Sequence, residues 1–449
     1  MGITRTSVVA DSIDEVFRWH ERPGAFHRLT PGFAPMKLRS ETDSLADGQA
    51  VLAVGGLIPW VASHQRDGYS PPNQFVDKLT SAPLRFVTPW THTHRFDAVD
   101  SGHTRITDTV RTPVPARALA SMFDYRHRQL AADIETQKWA RALQPTPLTI
   151  GMTGVSGTIG TSLSALATTG GHRVISLVRH APTGPDERRW DPAAPAADLL
   201  DGLDVLIHLA GASIAGRFTD RHVAAVRHSR VEPSRALAEV AAAAARDQRG
   251  PSVFVCASAI GFYGDSRGDE ELTEDAVAGS GAIADIVKDW ESACTPAAEA
   301  GIRVVNIRTG VVQSSSGGML KALYPLFFLG LGGRIGNGRQ WLAWVGGDDI
   351  ADIFYRAALD KRLVGPVNAV APRPVRNAEW TSTLGRVLSR PTVLPVPEFA
   401  PGLLLKPEGS RALALADQRV VPAALTAIGH PFRTPALEDT LRHQFGRYR

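Results

Sequence analysis

Apolar and polar positions alternate in short runs through the first third of the chain, and this period of two predicts β-strands. The runs are Gln49–Val54, Trp60–Arg66, Gln74–Thr80, Thr91–Phe96 and Thr104–Arg111. A longer segment with helical spacing, Phe123–Leu143, follows them. We therefore expect one sheet packed around a C-terminal helix in residues 1–143.

From Leu148 onward, continuous apolar runs alternate with helical segments, which is typical of a parallel sheet covered by helices. The predicted strands are Leu148–Met152, Arg173–Val178, Asp204–Leu209, Ser252–Ala257 and Arg303–Arg308. The predicted helices are Thr158–Thr169, Ser234–Arg246 and Gly281–Ala300. The pattern thus predicts an α/β fold with a doubly wound parallel sheet, preceded by an α+β domain.

The stretch Gln144–Pro147 contains two prolines and separates these two patterns. We expect a first domain at 1–143, a linker at 144–147, an α/β domain with a glycine-rich lid at 148–390, and a small C-terminal module at 391–449.

The first predicted strand of the α/β domain leads directly into Gly154, Gly157 and Gly160, which have the spacing GxxGxxG. In dinucleotide-binding folds the first glycine allows a tight turn and the second lets backbone N–H groups approach a pyrophosphate. The third lets the helix pack close to the strand. A tight turn that merely needs glycines is the alternative. Because strand, turn, helix and strand follow in order here, we predict a dinucleotide site.

Arg179-His180 follows the second strand of this domain, where an NAD-binding protein usually has Asp or Glu. A guanidinium can bind a 2′-phosphate with two hydrogen bonds, so we predict NADP(H) rather than NAD. An ordinary solvated surface arginine is the alternative. The candidate cofactor-binding residues are Thr153, Gly154, Ser156, Gly157, Thr158, Ile159, Gly160, Arg179, Leu209, Ala210, Gly211 and Ala257.

Composition and charge argue against several other classes of protein. The formal net charge is only +4, from 49 basic and 45 acidic residues, so we expect no nucleic-acid partner. No uncharged run is long enough to span a membrane, and the N-terminus has no secretory pattern. The two cysteines, Cys256 and Cys294, form no disulfide framework or zinc motif. We expect a cytoplasmic protein.

A glycine-rich stretch, Gly330–Trp341, resembles a substrate lid in composition, because its backbone amides and arginines suit an anionic or hydroxyl-rich ligand. A solvated loop with structural tryptophans is an equal alternative. The candidate substrate-binding residues are Arg334, Arg339, Gln340 and Trp344.

The element order of the first domain, with the segments Arg22–Pro31 and Tyr125–Leu130, resembles the START/Bet v 1-like helix-grip superfamily, also called SRPBCC. The resemblance implies an apolar cavity for a hydrophobic ligand, which Trp60, Trp90 and Phe96 could line. His92 and His94 alternate on one predicted strand and so share a face. Because no third ligand lies in that run, we expect a polar pair and no metal.

Several motifs of the α/β domain resemble an atypical branch of the short-chain dehydrogenases/reductases whose members are sugar-nucleotide epimerase-like. The motifs are the turn Thr153–Gly160, His208–Ala212, Ser229–Val231, Ser258–Gly264, Trp290-Glu291, Arg308–Val312, the lid, Gly365–Pro372, Gln418–Pro422 and Gly429–Phe432. The resemblance implies an extended Rossmann domain that binds NADP(H). Gly346 stands where the branch usually has histidine, and Lys406–Glu408 replaces a glycine-glutamate pair, so substrate contacts at these positions are not carried over.

The sequence departs from the superfamily at the catalytic pair Tyr-x-x-x-Lys, in which lysine lowers the pKa of tyrosine. None of the six tyrosines is followed four residues later by lysine. Aligned on Glu291, the pair falls at Ile283 and Val287. We predict Tyr263 as the remaining acid, with Ser258 and Lys288 as helpers.

Three functions are consistent with these patterns. The first is an NADP(H)-dependent reductase or epimerase acting on a small carbonyl or sugar-like substrate. The second is a non-catalytic NADP(H) sensor in which nucleotide occupancy is linked to ligand binding in the first domain. The third is a lipid-handling protein with a vestigial Rossmann domain.

Overall fold

A computed structural model describes residues 2–448, which divide into two units. The first unit consists, within that range, of residues up to 145, residues 164–171 and residues from 442 onward. The second unit consists of residues 146–163 and 172–441. The first unit thus includes two short segments that lie later in the chain than the predicted first domain.

The first unit contains a seven-stranded antiparallel sheet within the described residues. Its strands are β1 (Gly2–Val9), β2 (Met36–Ser40), β3 (Gln49–Val54), β4 (Ile58–His64), β5 (Gln74–Leu79), β6 (Thr91–Asp100) and β7 (His103–Arg111). Across the sheet the order is β1-β7-β6-β5-β4-β3-β2. Its helices are α1 (Ile13–Glu21), α2 (Ala25–Leu29), α3 (Leu84–Val87) and α4 (Ala116–Leu143), with a 3₁₀ turn at Arg66–Gly68.

The long helix α4 packs on this sheet through apolar residues four positions apart. Leu130 and Ile134 join Phe17, Phe96 and Ile106 in one buried cluster. Residues four apart lie on one face of a helix, so this stripe faces the sheet. The helix begins at Ala116, earlier than the predicted Phe123, and β2 was not predicted.

A buried ion pair ties α2 to α4. The Arg28 guanidinium donates from Nε to Asp133 Oδ2 at 2.7 Å and from Nη2 to Oδ1 at 2.6 Å. Gln129 donates to the same carboxylate at 3.2 Å. Both charged side chains are almost fully buried, and a bidentate pair of this kind has fixed geometry. It therefore fixes how the short helix sits against the long one.

In the second unit five of the described strands, β8, β9, β11, β12 and β14, lie where the sequence predicts strands, and the other eight were not predicted. They are β8 (Thr149–Thr153), β9 (Arg173–Val178), β10 (Glu187–Arg189), β11 (Val205–His208), β12 (Val253–Ala259), β13 (Ser266–Leu272), β14 (Arg303–Thr309), β15 (Val311–Gln313), β16 (Trp341–Leu342), β17 (Trp344–Gly346), β18 (Gly365–Ala369), β19 (Val375–Arg376) and β20 (Asp417–Val420).

Seven of the strands described in this part of the chain form one parallel sheet in the order β10-β9-β8-β11-β12-β14-β18. The chain starts at the centre, on β8, and builds outward first to β9 and β10 and then to β11 and beyond. The order reverses between β8 and β11, so the switch point of the doubly wound sheet lies there. The remaining strands form three two-stranded pairs: β13 with β20, β15 with β17, and β16 with β19.

Helices connect these strands or follow them. They are α5 (Thr158–Thr169), α6 (Asp220–Arg246), α7 (Ala282–Ser292), α8 (Thr295–Glu299), α9 (Gly318–Phe328), α10 (Gly347–Leu359), α11 (Asn377–Leu388), α12 (Ala400–Gly409), α13 (Ala423–Ala427) and α14 (Leu437–Phe445). A 3₁₀ turn at Ile260–Tyr263 and a π-helical turn at Ser410–Ala414 complete the set. None of the described helices is long and apolar enough to cross a lipid bilayer.

Two helices differ from their predicted bounds. Helix α6 begins at Asp220 rather than at Ser234, and it carries Pro233 in its interior. Proline usually ends a helical pattern, which is why the sequence predicted only the later part. The predicted helix Gly281–Ala300 is divided into α7 and α8.

Candidate dinucleotide site and apolar cavity

Thr153 holds the ends of the two central strands together. It is buried at the end of β8, and its hydroxyl lies 2.7 Å from Nδ1 of His208 at the end of β11. The same hydroxyl oxygen accepts hydrogen bonds from the backbone N–H groups of Leu209 and Ala210, at 3.1 and 3.2 Å. Thr153 therefore shapes the switch point from inside rather than facing a ligand.

Each of the three glycines in the turn lacks a side chain for a different structural reason. Gly154 has a φ of +72°, and a Cβ there would lie 2.9 Å from the backbone of Leu209 and Ala210. A Cβ at Gly160 would collide with the Gly154 carbonyl, so only glycine lets α5 approach β8 this closely. A Cβ at Gly157 would meet only the Gly154 oxygen, at 3.2 Å, and otherwise point into open space. Gly157 is thus open where the other two are enclosed.

The start of α5 forms an open rim at the switch point. Ser156, Gly157 and Thr158 are exposed, Ile159 is half-buried and Gly160 is buried. The first backbone N–H groups of a helix have no partner inside the helix and favour an anion. A side chain at Gly317, in the loop before α9, would collide with Thr158. That loop therefore borders the rim, which no sequence signal indicated.

Arg179 follows the last residue of β9 and is exposed. Arg189 ends the neighbouring strand β10, where it pairs in register with Val178. Arg189 is also exposed, and neither arginine belongs to an ion pair among the described residues. The sequence indicated only the first of these two cations at the carboxyl edge of the sheet.

On the other side of the switch point, Leu209 and Ala210 are half-buried and Gly211 is exposed. A methyl group at Gly211 would lie 3.3 Å from Cζ of Arg230. Burial lowers the pKa of Arg230, and the ion pairs of the described part of the chain do not include it. Arg230 is therefore a partly buried cation beside the predicted cofactor residues, and only the motif Ser229–Val231 pointed to it.

Ala257 lies half-buried near the end of β12, and the next residue, Ser258, enters a buried polar network. Ser258 donates to Oε1 of Glu291 at 2.6 Å. Arg308 donates to the same carboxylate from Nε at 2.9 Å and from Nη2 at 2.8 Å. The Ser258 hydroxyl is thus already bonded within the protein.

The assignment of Tyr263 as a catalytic acid is wrong, because this side chain lies in the core with 0% of its surface exposed. Its hydroxyl donates to Oδ1 of Asn368 at 2.7 Å, the nearer of two acceptors, and the Thr273 carbonyl lies 3.0 Å away. The hydroxyl oxygen accepts from Arg308 at 3.0 Å. Burial raises the pKa of Tyr263, and the nearby Arg308 opposes that rise. The residue is a structural part of the network.

Lys288, the other predicted helper, forms an ion pair on the surface of α7. Its Nζ pairs with Asp285 at 2.6 Å, with 42% of the lysine side chain exposed. Ile283 and Val287, one helical turn apart on α7, face the 3₁₀ turn that precedes Gly264, because a Cβ at Gly261 would touch both. The positions aligned with the usual catalytic pair are therefore filled by apolar groups.

The predicted substrate residues are placed in two different environments. Arg334 and Arg339 are exposed on the glycine-rich loop, and Gln340 is half-buried there, donating to the Ile335 carbonyl. Trp344 is fully buried, and its indole N–H donates to the Arg373 carbonyl at 3.0 Å. Its assignment to substrate binding is therefore wrong, because it is a core residue of β17.

The first unit encloses a cavity of about 580 Å³. Trp60 and Trp90 line it, whereas Phe96 belongs to the core behind it. Most other lining residues are apolar, among them Leu29, Phe33, Met36, Leu52, Leu119 and Met122. A cavity of this size and character suits an apolar small molecule.

Two family models match the chain. The NAD dependent epimerase/dehydratase family matches residues 150–369, and a domain of unknown function, DUF1731, matches residues 396–444. Epimerase family protein Mb2239 of Mycobacterium bovis is 37% identical over 295 residues, covering 65% of this chain and 96% of that protein.

The solved structures that are similar to this chain include the following two. A crystal structure described as the nucleoside-diphosphate sugar epimerase from Corynebacterium glutamicum has 41% identity and a TM-score of 0.86, covering 99% of this chain and 90% of that one. The structure of human epimerase family protein SDR39U1 (isoform 2) with NADPH has 29% identity and a TM-score of 0.61. It covers 66% of this chain and 99% of that one. The first likeness thus includes the first unit as well as the second.

The structural role of Tyr263 can be tested with Tyr263→Phe. This change leaves Asn368 Oδ1 and one Arg308 donor without their buried partner, so we expect the free energy of unfolding to fall by about 1–3 kcal/mol. NADPH affinity should stay within about twofold, measured by calorimetric titration of the same samples. Tyr69→Phe, which loses only a solvent-exposed hydroxyl hydrogen bond to Glu21, is the matched control and should lower the stability by less than about 1 kcal/mol. Unchanged stability of Tyr263→Phe would contradict the network described here.

Proposed function

The chain belongs to the NAD dependent epimerase/dehydratase family, and from that premise we propose that it binds NADP(H) at the turn Gly154–Gly160. The proposed activity is hydride transfer to or from a small carbonyl or sugar-like substrate. The observation that carries the proposal is the turn itself. It lies at the switch point of the sheet, with Gly157 open and the start of α5 exposed.

The residues at this place fit a dinucleotide. Gly154 and Gly160 allow the close turn, and the absent side chain at Gly157 leaves space for a pyrophosphate beside the N-terminus of α5. Leu209, Ala210 and Gly211 border the same switch point from β11, and Ala257 follows on β12. These residues would hold the nucleotide, which when bound supplies the hydride.

A preference for NADP(H) is supported by Arg179 and Arg189. Both are exposed, and neither has an acidic partner in the described part of the chain. Arg189 pairs in register with Val178, the residue directly before Arg179, so both arginines lie at the carboxyl ends of neighbouring strands. No carboxylate follows β9 to bind a ribose 2′-hydroxyl or to repel a 2′-phosphate. The human relative SDR39U1 was solved with NADPH, which agrees with this preference.

We assign substrate binding to three arginines that form no ion pair in the described part of the chain, and to one glutamine. Arg230 stands beside Gly211 as a partly buried guanidinium, and it would orient an anionic group near the nucleotide. Arg334, Arg339 and Gln340 on the exposed loop would bind phosphate or hydroxyl groups of the substrate. These side chains would position the substrate and polarise the reacting group. The proton that the oxygen of a reduced carbonyl takes up would come from solvent at the exposed start of α5.

A second candidate function is non-catalytic binding of NADP(H) as a sensor. The observation in its favour is that Tyr263, Ser258 and Lys288 are all engaged with other protein groups. No conventional acid or base is therefore assembled from the residues that the sequence nominated.

For the first unit, we propose a helix-grip domain of the SRPBCC type that binds an apolar small molecule. Its support is the antiparallel sheet, the long helix α4 and the apolar cavity of about 580 Å³. The cavity would remove most of such a ligand from water, at about 25 cal/mol for each Å² of apolar surface buried.

The cofactor preference can be tested with Arg179→Asp. Losing charge-assisted hydrogen bonds to a 2′-phosphate should weaken NADPH binding about 10- to 100-fold. NADH binding should change by less than about threefold. The control is Arg246→Asp at the exposed end of α6, which should alter neither. Equal losses for NADPH and NADH, measured by calorimetric titration, would contradict the assignment.

Catalysis and sensing are distinguished by turnover. A panel of carbonyl and nucleotide-sugar substrates is mixed with NADPH, and loss of its absorbance is followed with wild type and Arg230→Ala. The enzyme proposal expects turnover on at least one substrate, reduced about 10-fold or more in kcat/KM by Arg230→Ala. Tight NADPH binding without turnover on the whole panel would favour the sensor.

The apolar cavity can be tested with Met122→Lys, which places a charge in its wall. Binding of an uncharged apolar fluorescent probe such as N-phenyl-1-naphthylamine should weaken about 10-fold or more, because a buried charge is costly. Val99→Lys, at an exposed position on β6, is the control and should have no effect. The same affinity in all three proteins would place the probe outside this cavity.

A further inference from the structure

Four ionisable side chains meet on one face of the antiparallel sheet of the first unit. Asp77 on β5 lies opposite His92 on β6, and His94 on β6 lies opposite Asp108 on β7. His92 and His94 are two residues apart on one strand, so both point to the same face. Side chains of directly opposed residues also share a face. The register therefore gathers two imidazoles and two carboxylates at one place.

Three of these residues surround a common point. Oδ2 of Asp77 lies 3.3 Å from Nε2 of His94 and 3.6 Å from Nδ1 of His92. One ligand atom from each of the three lies within 4.8 Å of the others. In tetrahedral zinc sites with bonds of about 2.0–2.1 Å, neighbouring ligand atoms are about 3.3–3.4 Å apart. The two distances from the carboxylate thus match the spacing of metal ligands, and the two nitrogens lie within 4.8 Å of each other.

The fourth residue, Asp108, occupies the outer side of both imidazoles. Its Oδ1 lies 2.9 Å from Nδ1 of His94 and 3.3 Å from Nε2 of His92. Metal-binding histidines usually donate their second N–H to a carboxylate, which fixes the ring orientation. Nε2 of His92 and Oδ1 of Asp108 are buried without a well-aligned hydrogen bond in the described structure. Asp108 is itself close to His127, at 3.3 Å.

The cluster also has a place for a ligand of the metal. Asp77, His92 and His94 line the apolar cavity, and each is at most 9% exposed. Three protein ligands leave a tetrahedral ion with one open position, which is the arrangement of catalytic zinc sites. Because the cavity is the space in front of these side chains, the open position would face it.

Electrostatics favours a cation at this point. Two buried carboxylates need compensating positive charge, since an unpaired buried charge is costly. Nε of Arg126 lies 4.0 Å from Oδ2 of Asp108 and supplies part of that charge, whereas Asp77 contacts the imidazoles of His92 and His94. The rings of His92 and His94 are only 3.7 Å apart between centroids, so protonating both would place like charges in contact. A divalent ion between Asp77 and two neutral imidazoles satisfies both carboxylates without that repulsion.

We propose that Asp77, His92 and His94 bind one divalent transition-metal ion of the Zn²⁺ class, with Asp108 orienting both imidazoles and an open coordination position facing the cavity. The site is independent of the proposed NADP(H) function. The sequence around His92 and His94 did not indicate this metal site, because the third ligand, Asp77, comes from the neighbouring strand.

The experiment uses the full chain without an affinity tag, stripped of metal with a chelator and dialysed. Zn²⁺ is titrated by calorimetry, and bound metal is counted by mass spectrometry after gel filtration. We expect one Zn²⁺ per chain and an increase in melting temperature on binding. His94→Gln should lower the affinity at least about 100-fold, and Asp108→Asn about 10- to 100-fold.

The matched control is His103→Gln, an exposed histidine at the start of β7 that pairs with Asp100. It should bind Zn²⁺ like wild type. If His94→Gln does not fold, X-ray absorption of the wild-type zinc complex decides, and we expect a first shell of nitrogen and oxygen with two imidazoles. Failure of wild type to bind Zn²⁺ at micromolar concentration would overturn the proposal, as would equal binding by folded His94→Gln or a first shell without imidazole.

Discussion

The close approach of α5 to the central strands is the constraint on which the nucleotide half of this protein depends. Gly160 must lack a side chain because the Gly154 carbonyl occupies that space, and Gly154 must adopt a positive φ next to the backbone of Leu209 and Ala210. Thr153 joins the same strand ends through its hydroxyl. Together these contacts place the start of a helix at the switch point, and the electrostatics of a helix N-terminus follow from that position.

Next to this turn, the polar side chains at the ends of β12 and β14 form hydrogen bonds with other protein groups. Arg308 is bonded to Glu291 and to Tyr263, while Ser258 occupies the remaining side of Glu291. A fully satisfied buried network of this kind makes the core rigid, and its members are not available to a substrate. Arg230 lies outside this network as a partly buried guanidinium that belongs to no ion pair among the described residues.

The parts that could be predicted from the sequence are those set by local pattern. The bounds of β9 and β3 agree with their apolar runs, and the glycine spacing located the switch point. The predicted helix began only after Pro233, because the rule that proline ends a helix takes no account of tertiary packing, whereas α6 continues through that proline. Tyr263 and Trp344 were misassigned for a similar reason: a residue type and a motif do not tell whether the side chain points to the crevice or to the core.

Sites whose residues come from two neighbouring strands could not be predicted from local sequence patterns. Asp77 is paired with His92, and Arg189 is paired with Val178 beside Arg179, only through sheet register. Register depends on strand pairing rather than on spacing along the chain. The two units thus present different chemistry. One has a largely apolar cavity with a polar cluster in its wall, and the other has a glycine-rich turn at the switch point with exposed arginines at the carboxyl edge of the sheet.

The most direct measurement is a crystal structure of the full chain soaked in NADPH. The account predicts density for the pyrophosphate against Gly157 and the start of α5, with the 2′-phosphate within hydrogen-bond distance of the Arg179 guanidinium. An empty switch point under saturating NADPH, or a nucleotide bound elsewhere on the chain, would contradict it.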